Sequence, residues 1–215
     1  MLSDHILFID AEALVLDKPA GLPVDAPRRG GDSIAARIDE LLCGFKRPPV
    51  AMHRLDTDTS GCLLFARTAK ARSAYQQAFE TRAVEKFYLA VVAGEIAEES
   101  GNIDTPLAKH SSAEAGWKMV SDQHGLSATT HWRRLAVRDG STLVEFRPLT
   151  GRTHQIRAHA RAAFGKGIVG DRVYGIPGGP MLLHASRLVV PRERKDTIDV
   201  TAPLPDYFGD WRDAS

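Results

Sequence analysis

The chain has 215 residues, 43% of them hydrophobic and 26% charged, with a formal net charge of +1. That is ordinary for a globular protein with a proper core, and no apolar run approaches the roughly 20 residues needed to span a bilayer. Residues 1–5 lack the basic and apolar regions of a secretion signal, and Cys43 and Cys62 fit no zinc or redox spacing, so a cytoplasmic protein with a single domain over 1–215 is expected.

Residues 6–9 and 13–16 read as two short strands closed by the Pro/Gly loop Lys18-Pro19-Ala20-Gly21. Ser33 can cap a short helix through Cys43, with Ile34, Ile38, Leu41 and Leu42 at helical spacing. Strands at 50–56 and 62–67 precede a helix over 69–82. Residues 84–92 form a further strand, with Phe87, Leu89 and Val91 on one face and Tyr88 on the other. The weakly patterned segment 95–125 is a long loop or a small inserted hairpin. Asp139-Gly140 then supplies the turn of a hairpin over 127–137 and 141–147. A helix over 153–164 ends at Gly165, and 168–170, 181–190 and 196–200 read as short strands. Strands outnumber helices and hairpins dominate, which predicts an α+β fold: a mixed, mainly antiparallel β-sheet with a few flanking helices.

Charge is unevenly placed. Between 152 and 172 stand five cations (Arg152, Arg157, Arg161, Lys166, Arg172) against Asp171, whereas 191–215 holds six acids against four bases. Such a basic segment suits a phosphate-binding face, and equally a solvated helix face. On a helix, His154, Arg157 and Arg161 fall within about 60° of one another, with Ile156, Ala160 and Ala163 opposite. His154 and His159 stand about 140° apart, the wrong geometry for one metal ion.

In an extended segment Arg54, Asp56 and Asp58 share one face. A carboxylate held beside a cation stays ionised and suits a nucleophile or base. By itself an Arg-Leu-Asp at a strand end is more often a structural ion pair, and Tyr88 alone a half-buried sheet residue. Asp58-Thr59-Ser60-Gly61 has one residue too many for the D-[ST]-G of aspartic proteases. Asp56 and Asp58, two apart on a strand, are also spaced like an inverting glycosidase pair, at about 6.5–7 Å, but that reading gives the Arg-rich helix no purpose.

His53-Arg54-Leu55-Asp56-Thr57-Asp58-Thr59-Ser60-Gly61 resembles the H-R-L-D-x-x-T-S-G signature of RluA-type pseudouridine synthases at every fixed position. Four further blocks resemble the same family, in its order: Asp17-Lys18-Pro19-Ala20-Gly21-Leu22; Lys86-Phe87-Tyr88-Leu89-Ala90-Val91; Gly151-Arg152-Thr153-His154-Gln155-Ile156-Arg157-Ala158-His159; and Leu182-Leu183-His184-Ala185. The resemblance implies the pseudouridine synthase catalytic fold and isomerisation of uridine to pseudouridine in folded RNA, without cofactor or metal. It implies Asp56 as the catalytic carboxylate, Arg157 as its pairing cation and Tyr88 at the target base. Arg54 would fill the stack vacated by a flipped base. The basic segment itself, independent of the resemblance, offers Arg152, His154, Arg161 and Lys166 as further RNA-binding residues.

Where many relatives read G-H-P-I-x-G-D, this chain has Gly165-Lys166-Gly167-Ile168-Val169-Gly170-Asp171, a change expected to alter substrate contact. Too few residues precede Leu14 for an S4-like RNA-binding domain, so a compact stem-loop of tRNA or rRNA, bound by a monomer, is expected. The alternative is a catalytically silent RNA-binding protein of the same fold.

Overall fold

The computed structural model describes residues 1–28, 30–112 and 116–214. They form two compact units, one of the described residues within 1–86 and 184–204, the other of those within 87–183 and 205–214.

In the first unit, β1 (Ile6–Ile9) and β2 (Ala13–Lys18) form an antiparallel hairpin. Strand β4 (Ser60–Ala66) runs antiparallel to β2, and the two-residue β3 (Val50–Ala51) pairs with β4. Strand β11 (Leu183–Val190) is parallel to β4 and antiparallel to β12 (Ile198–Thr201). One parallel contact among antiparallel ones makes this sheet mixed, as expected. Every residue of β4 is buried, which is why it reads as a continuous apolar run without alternation. Gly61, at φ +104°, is where β4 meets β11; a Cβ there would collide with the backbone of Ala185. Helix α1 (Ala69–Glu80) starts where Thr68 accepts from the Ala71 N–H at 3.1 Å and lays Ala71 and Tyr75 on the sheet.

In the second unit the order is β5 (Glu85–Ala93), β10 (Ser141–Pro148), β9 (Thr129–Arg138), β6 (Ser100–Asp104), all antiparallel. Asp139 and Gly140 turn β9 into β10 with φ +51° and +69°, the geometry that Asp-Gly favours. The segment 95–125 contains β6 and a separate hairpin of β7 (Leu107–Ser112) and β8 (Gly116–Ser121), whose tip at 113–115 lies outside the described residues. Helix α2 (Gln155–Phe164) ends at Gly165 in the left-handed conformation.

Four expectations need correction. No α-helix forms over 33–43: Ser33 Oγ accepts from the Ala36 N–H at 3.0 Å, but turns lead only to a 3-10 turn at Ile38–Leu41. The strand expected over 50–56 stops at Ala51, so two-residue alternation does not orient Arg54, Asp56 and Asp58. Helix α2 starts at Gln155, and its first six residues are all buried while Ala163 is exposed. Residues 168–170 are held by isolated bridges of Val92 with Ile168 and Val169 with Ile176, not by a strand of their own.

Candidate active site

Asp56 lies half-buried in the segment linking β3 to β4. That segment is anchored at its start: the Met52 N–H donates to the Leu64 carbonyl at 2.9 Å, and the Leu64 N–H donates to His53 Nε2 at 3.1 Å. Burial, reinforced by the Lys86 charge, pulls the His53 pKa down to about 3, so the imidazole is neutral and able to accept. Leu55 points into the core at 4% exposure. The Asp56 carbonyl then accepts from the Thr59 N–H at 3.1 Å, closing the turn that feeds β4.

A second clamp comes from the loop after β2. Lys18 is wholly buried, and its ammonium donates to the carbonyls of Pro19 (2.8 Å), Leu22 (2.8 Å) and Thr57 (3.0 Å). Gly21, at φ +82°, brings its N–H to the same Thr57 oxygen at 2.9 Å. Three donors meet three carbonyls, which is how a buried ammonium is tolerated. Burial pulls the Lys18 pKa down to about 8 while Asp58, Asp56 and Asp17 oppose that shift, so the cation persists at neutral pH. The residue following Asp56 is therefore gripped from two sides by one loop. Arg54 projects into solvent 3.7 Å from an equally exposed Asp25, a pair of little energetic weight.

In the second unit Tyr88 sits on β5 opposite Phe146 of β10, at 9% exposure. Arg157, in the first turns of α2, is 7% exposed. Its Nε donates to Asp171 Oδ2 at 2.7 Å and its Nη2 to Asp171 Oδ1 at 2.8 Å, a buried bidentate pair. The N–H groups of Val173 (2.9 Å) and Tyr174 (3.1 Å) also donate to Asp171 Oδ1. Burial pushes the Asp171 carboxyl up, but Arg157 and these amides outweigh it and hold the pKa below the usual carboxylate value.

The residues expected on RNA are placed differently from one another. Arg161 and Lys166 are exposed, Arg161 also donating to the Gly165 carbonyl at 2.6 Å. Arg152 is half-buried, with Nε on the Ser127 carbonyl at 3.0 Å. His154 is not on the helix at all: it is the residue before it, left-handed at φ +51°, so the angular argument grouping it with Arg157 and Arg161 does not apply. Its Nδ1 lies 3.0 Å from the Tyr174 hydroxyl and its ring stacks on Trp117 at 4.8 Å. Both ring nitrogens of His159 are engaged, with Thr130 Oγ1 and the Thr105 carbonyl at 2.9 Å each. Among the described residues no group of three or more potential ligands could hold a metal ion, and no helix is long and apolar enough to cross a membrane.

Residues 12–162 match the family model for RNA pseudouridylate synthase. The chain belongs to this family. It is an RluA-type RNA pseudouridine synthase, an isomerase. It is 47% identical over 214 residues to an uncharacterized RNA pseudouridine synthase of Zymomonas mobilis, covering 98% of both chains. It is also 32% identical to the ribosomal large subunit pseudouridine synthase C of Rickettsia bellii, covering 96% of this chain and 70% of that one. Among solved structures it resembles the human RNA pseudouridylate synthase domain containing 4, with TM-score 0.79, 28% identity and coverage of 96% and 91%.

In this synthase, Lys18, Asp171 and Tyr174 are residues whose structural role sequence reasoning missed, although the blocks quoted above contain Lys18 and Asp171. The available signal was a lysine ending an otherwise apolar strand, Ala13-Leu14-Val15-Leu16-Asp17-Lys18, where a buried charge needs a reason. No comparable signal links Asp171 to Arg157 across 14 residues.

Proposed function

We propose that this synthase converts one or a few uridines of a tRNA or rRNA stem-loop to pseudouridine, acting as a cytoplasmic monomer built as a single catalytic domain, with Asp56 as its catalytic carboxylate. In the reaction the bond from ribose C1′ to uracil N1 breaks and a bond from C1′ to C5 forms. C5 then gives up its proton and N1 takes one. Positive charge builds at C1′, where an ionised and immobile carboxylate helps most. The observation that best supports Asp56 is the double clamp on its neighbour: Lys18 Nζ and the Gly21 N–H both on the Thr57 carbonyl. Such pre-organisation of the adjoining backbone is what a positioned reactive group requires.

Tyr88 is assigned to the target base, stacking on it and handling the proton at C5. Arg157, already fixed by Asp171, is assigned the pairing with Asp56 that the motif implies. Arg54, exposed beside the Asp56 segment, would occupy the space left by the extruded base. Arg161 and Lys166 would contact phosphates, with Arg152 and His154 shaping the surface that presents them.

Carbodiimide-dependent reverse-transcription stops on total tRNA and rRNA, from cells with and without the gene, test the reading. Loss of one or a few pseudouridines, restored by wild type but not by Asp56→Ala, is expected. An unchanged pattern, with purified protein inactive on transcripts, would favour a silent RNA-binding protein.

A further inference from the structure

Tyr174 stands at the crossing of two sets of contacts, one to the Arg157–Asp171 pair and one to the β7–β8 hairpin. It is 7% exposed and ends the short turn 171–174 after Asp171. That turn is tightly seated: a Cβ on Gly175 would strike the Ile168 carbonyl, and one on Gly167 would strike the Tyr174 carbonyl. On one side, Tyr174 serves Arg157. Its backbone N–H donates to Asp171 Oδ1, the oxygen that also receives Arg157 Nη2, and its ring centroid lies 5.1 Å from the Arg157 guanidinium carbon.

On the other side, its hydroxyl serves the β7–β8 hairpin. The Met119 N–H of β8 donates to it at 2.7 Å, and His154 Nδ1 lies 3.0 Å away. His154 in turn stacks on Trp117 of β8 with an interplanar angle of 17°, and Lys109 of β7 lies 5.1 Å over the Trp117 ring. The hairpin rests on α2 through a small buried cluster of Leu107, Met119, Ala128, Ala158 and Tyr174. Beside this cluster a cleft of about 400 Å³ opens, lined among others by Lys118, Met119, Ala158, Arg161 and Tyr174. A hairpin seated on so little apolar surface owes its register on the helix to directional contacts, and the Tyr174 hydroxyl supplies one at its centre.

We propose that Tyr174 is a positioning residue that couples the seat of the β7–β8 hairpin to the Arg157–Asp171 pair, so that the hairpin sets the orientation in which Arg157 is held. The proposal rests on the reading that Arg157 takes part in the reaction. It makes Tyr174 a relay, with no contact of its own to the uridine. Trp117, 44% exposed on the hairpin, is then the distal end of the relay, able to disturb Arg157 without touching it.

Two variants of the full chain test it. Tyr174→Phe keeps the ring and the backbone N–H but removes the hydroxyl, and Trp117→Ala removes the stack on His154. The first readout is hydrogen exchange of the Arg157 Nε–H in ¹⁵N-labelled protein, which needs no activity. Loss of one link in the relay, a hydrogen bond in Tyr174→Phe and a ring stack in Trp117→Ala, should speed it about five- to tenfold in both variants. Rates unchanged in both overturn the proposal. Should Tyr174→Phe fail to fold, Trp117→Ala alone decides by the same readout, because that side chain is at the surface.

The second readout is single-turnover pseudouridine formation at saturating RNA. Each variant should slow the step with RNA affinity nearly unchanged, and the double variant should be no slower than the slower single one, as members of one chain behave. Multiplicative losses, or losses confined to RNA affinity, overturn it. Absence of pseudouridine from wild type on every RNA would sink the functional reading instead, while the exchange rates would still decide the coupling.

Discussion

Lys18 Nζ donates to the carbonyl of Thr57 at 3.0 Å, one peptide beyond Asp56, while spending its other two donors on Pro19 and Leu22. Strand β2 thus ends in a charge whose whole hydrogen-bonding capacity holds two loops together. Replacing Lys18 with Met should leave three carbonyls short of a donor and loosen the Asp56 turn. The expected cost is about 2 kcal/mol or more in urea unfolding, with slower single turnover and little change in RNA affinity. Arg should not rescue, because a planar five-donor fork cannot fill a cage built for a point charge.

Asp171 is 1% exposed and meets Arg157 through two hydrogen bonds. Asp171→Ala should remove both of these hydrogen bonds from a buried guanidinium, at a cost of about 3–5 kcal/mol. Replacing both partners with apolar residues of similar volume should cost less in stability yet still abolish turnover. Chemical denaturation beside an activity assay separates the two effects.

Gly61 pairs with Ala185 where β4 runs beside β11, at φ +104° with the Ala185 backbone where a Cβ would sit. Gly61→Ala should therefore destabilise the first unit more than a typical substitution, by roughly 3 kcal/mol or more through strain and lost strand contact. An equally stable variant in thermal unfolding would contradict the packing described for this strand pair.

His184 is wholly buried between Ser60 Oγ, 2.8 Å from Nδ1, and the Ala202 carbonyl, 3.3 Å from Nε2. Burial pulls its pKa down to about 4, and that of His53 to about 3, from 6.5. With folded values this low, the unfolded chain binds these protons first as pH falls. Stability should decline between pH 6.5 and about 4, by about 1.4 kcal/mol per pH unit for each histidine, with no such slope above pH 6.5. Urea unfolding over that range should show a slope shallower by about one proton in His184→Gln.

The class of sheet, helix α1, the Asp139-Gly140 hairpin and the Gly165 stop were legible because each rests on local chemistry: a period, a cap, a turn residue. The segment 33–43 carried the helical period, yet only turns and a 3-10 element form. Periodicity reports which face is apolar, not whether the backbone hydrogen bonds close. Strand β6 was missed because Ser100-Gly101-Asn102-Ile103-Asp104 has almost no strand propensity; its pairing with β9 is what makes it a strand. The residues expected at the site were visible only as a motif. What holds them, Lys18 on Thr57 and Asp171 on Arg157, depends on contacts between segments 39 and 14 residues apart, which no local pattern announces.

The most direct test compares wild type with Asp56→Asn in single-turnover pseudouridine formation on the RNA identified by mapping, with RNA affinity and circular dichroism measured on the same samples. Asn keeps the volume and removes the charge. The account predicts product at background for Asp56→Asn, with fold and affinity intact. Turnover comparable to wild type would show that Asp56 is not the catalytic carboxylate.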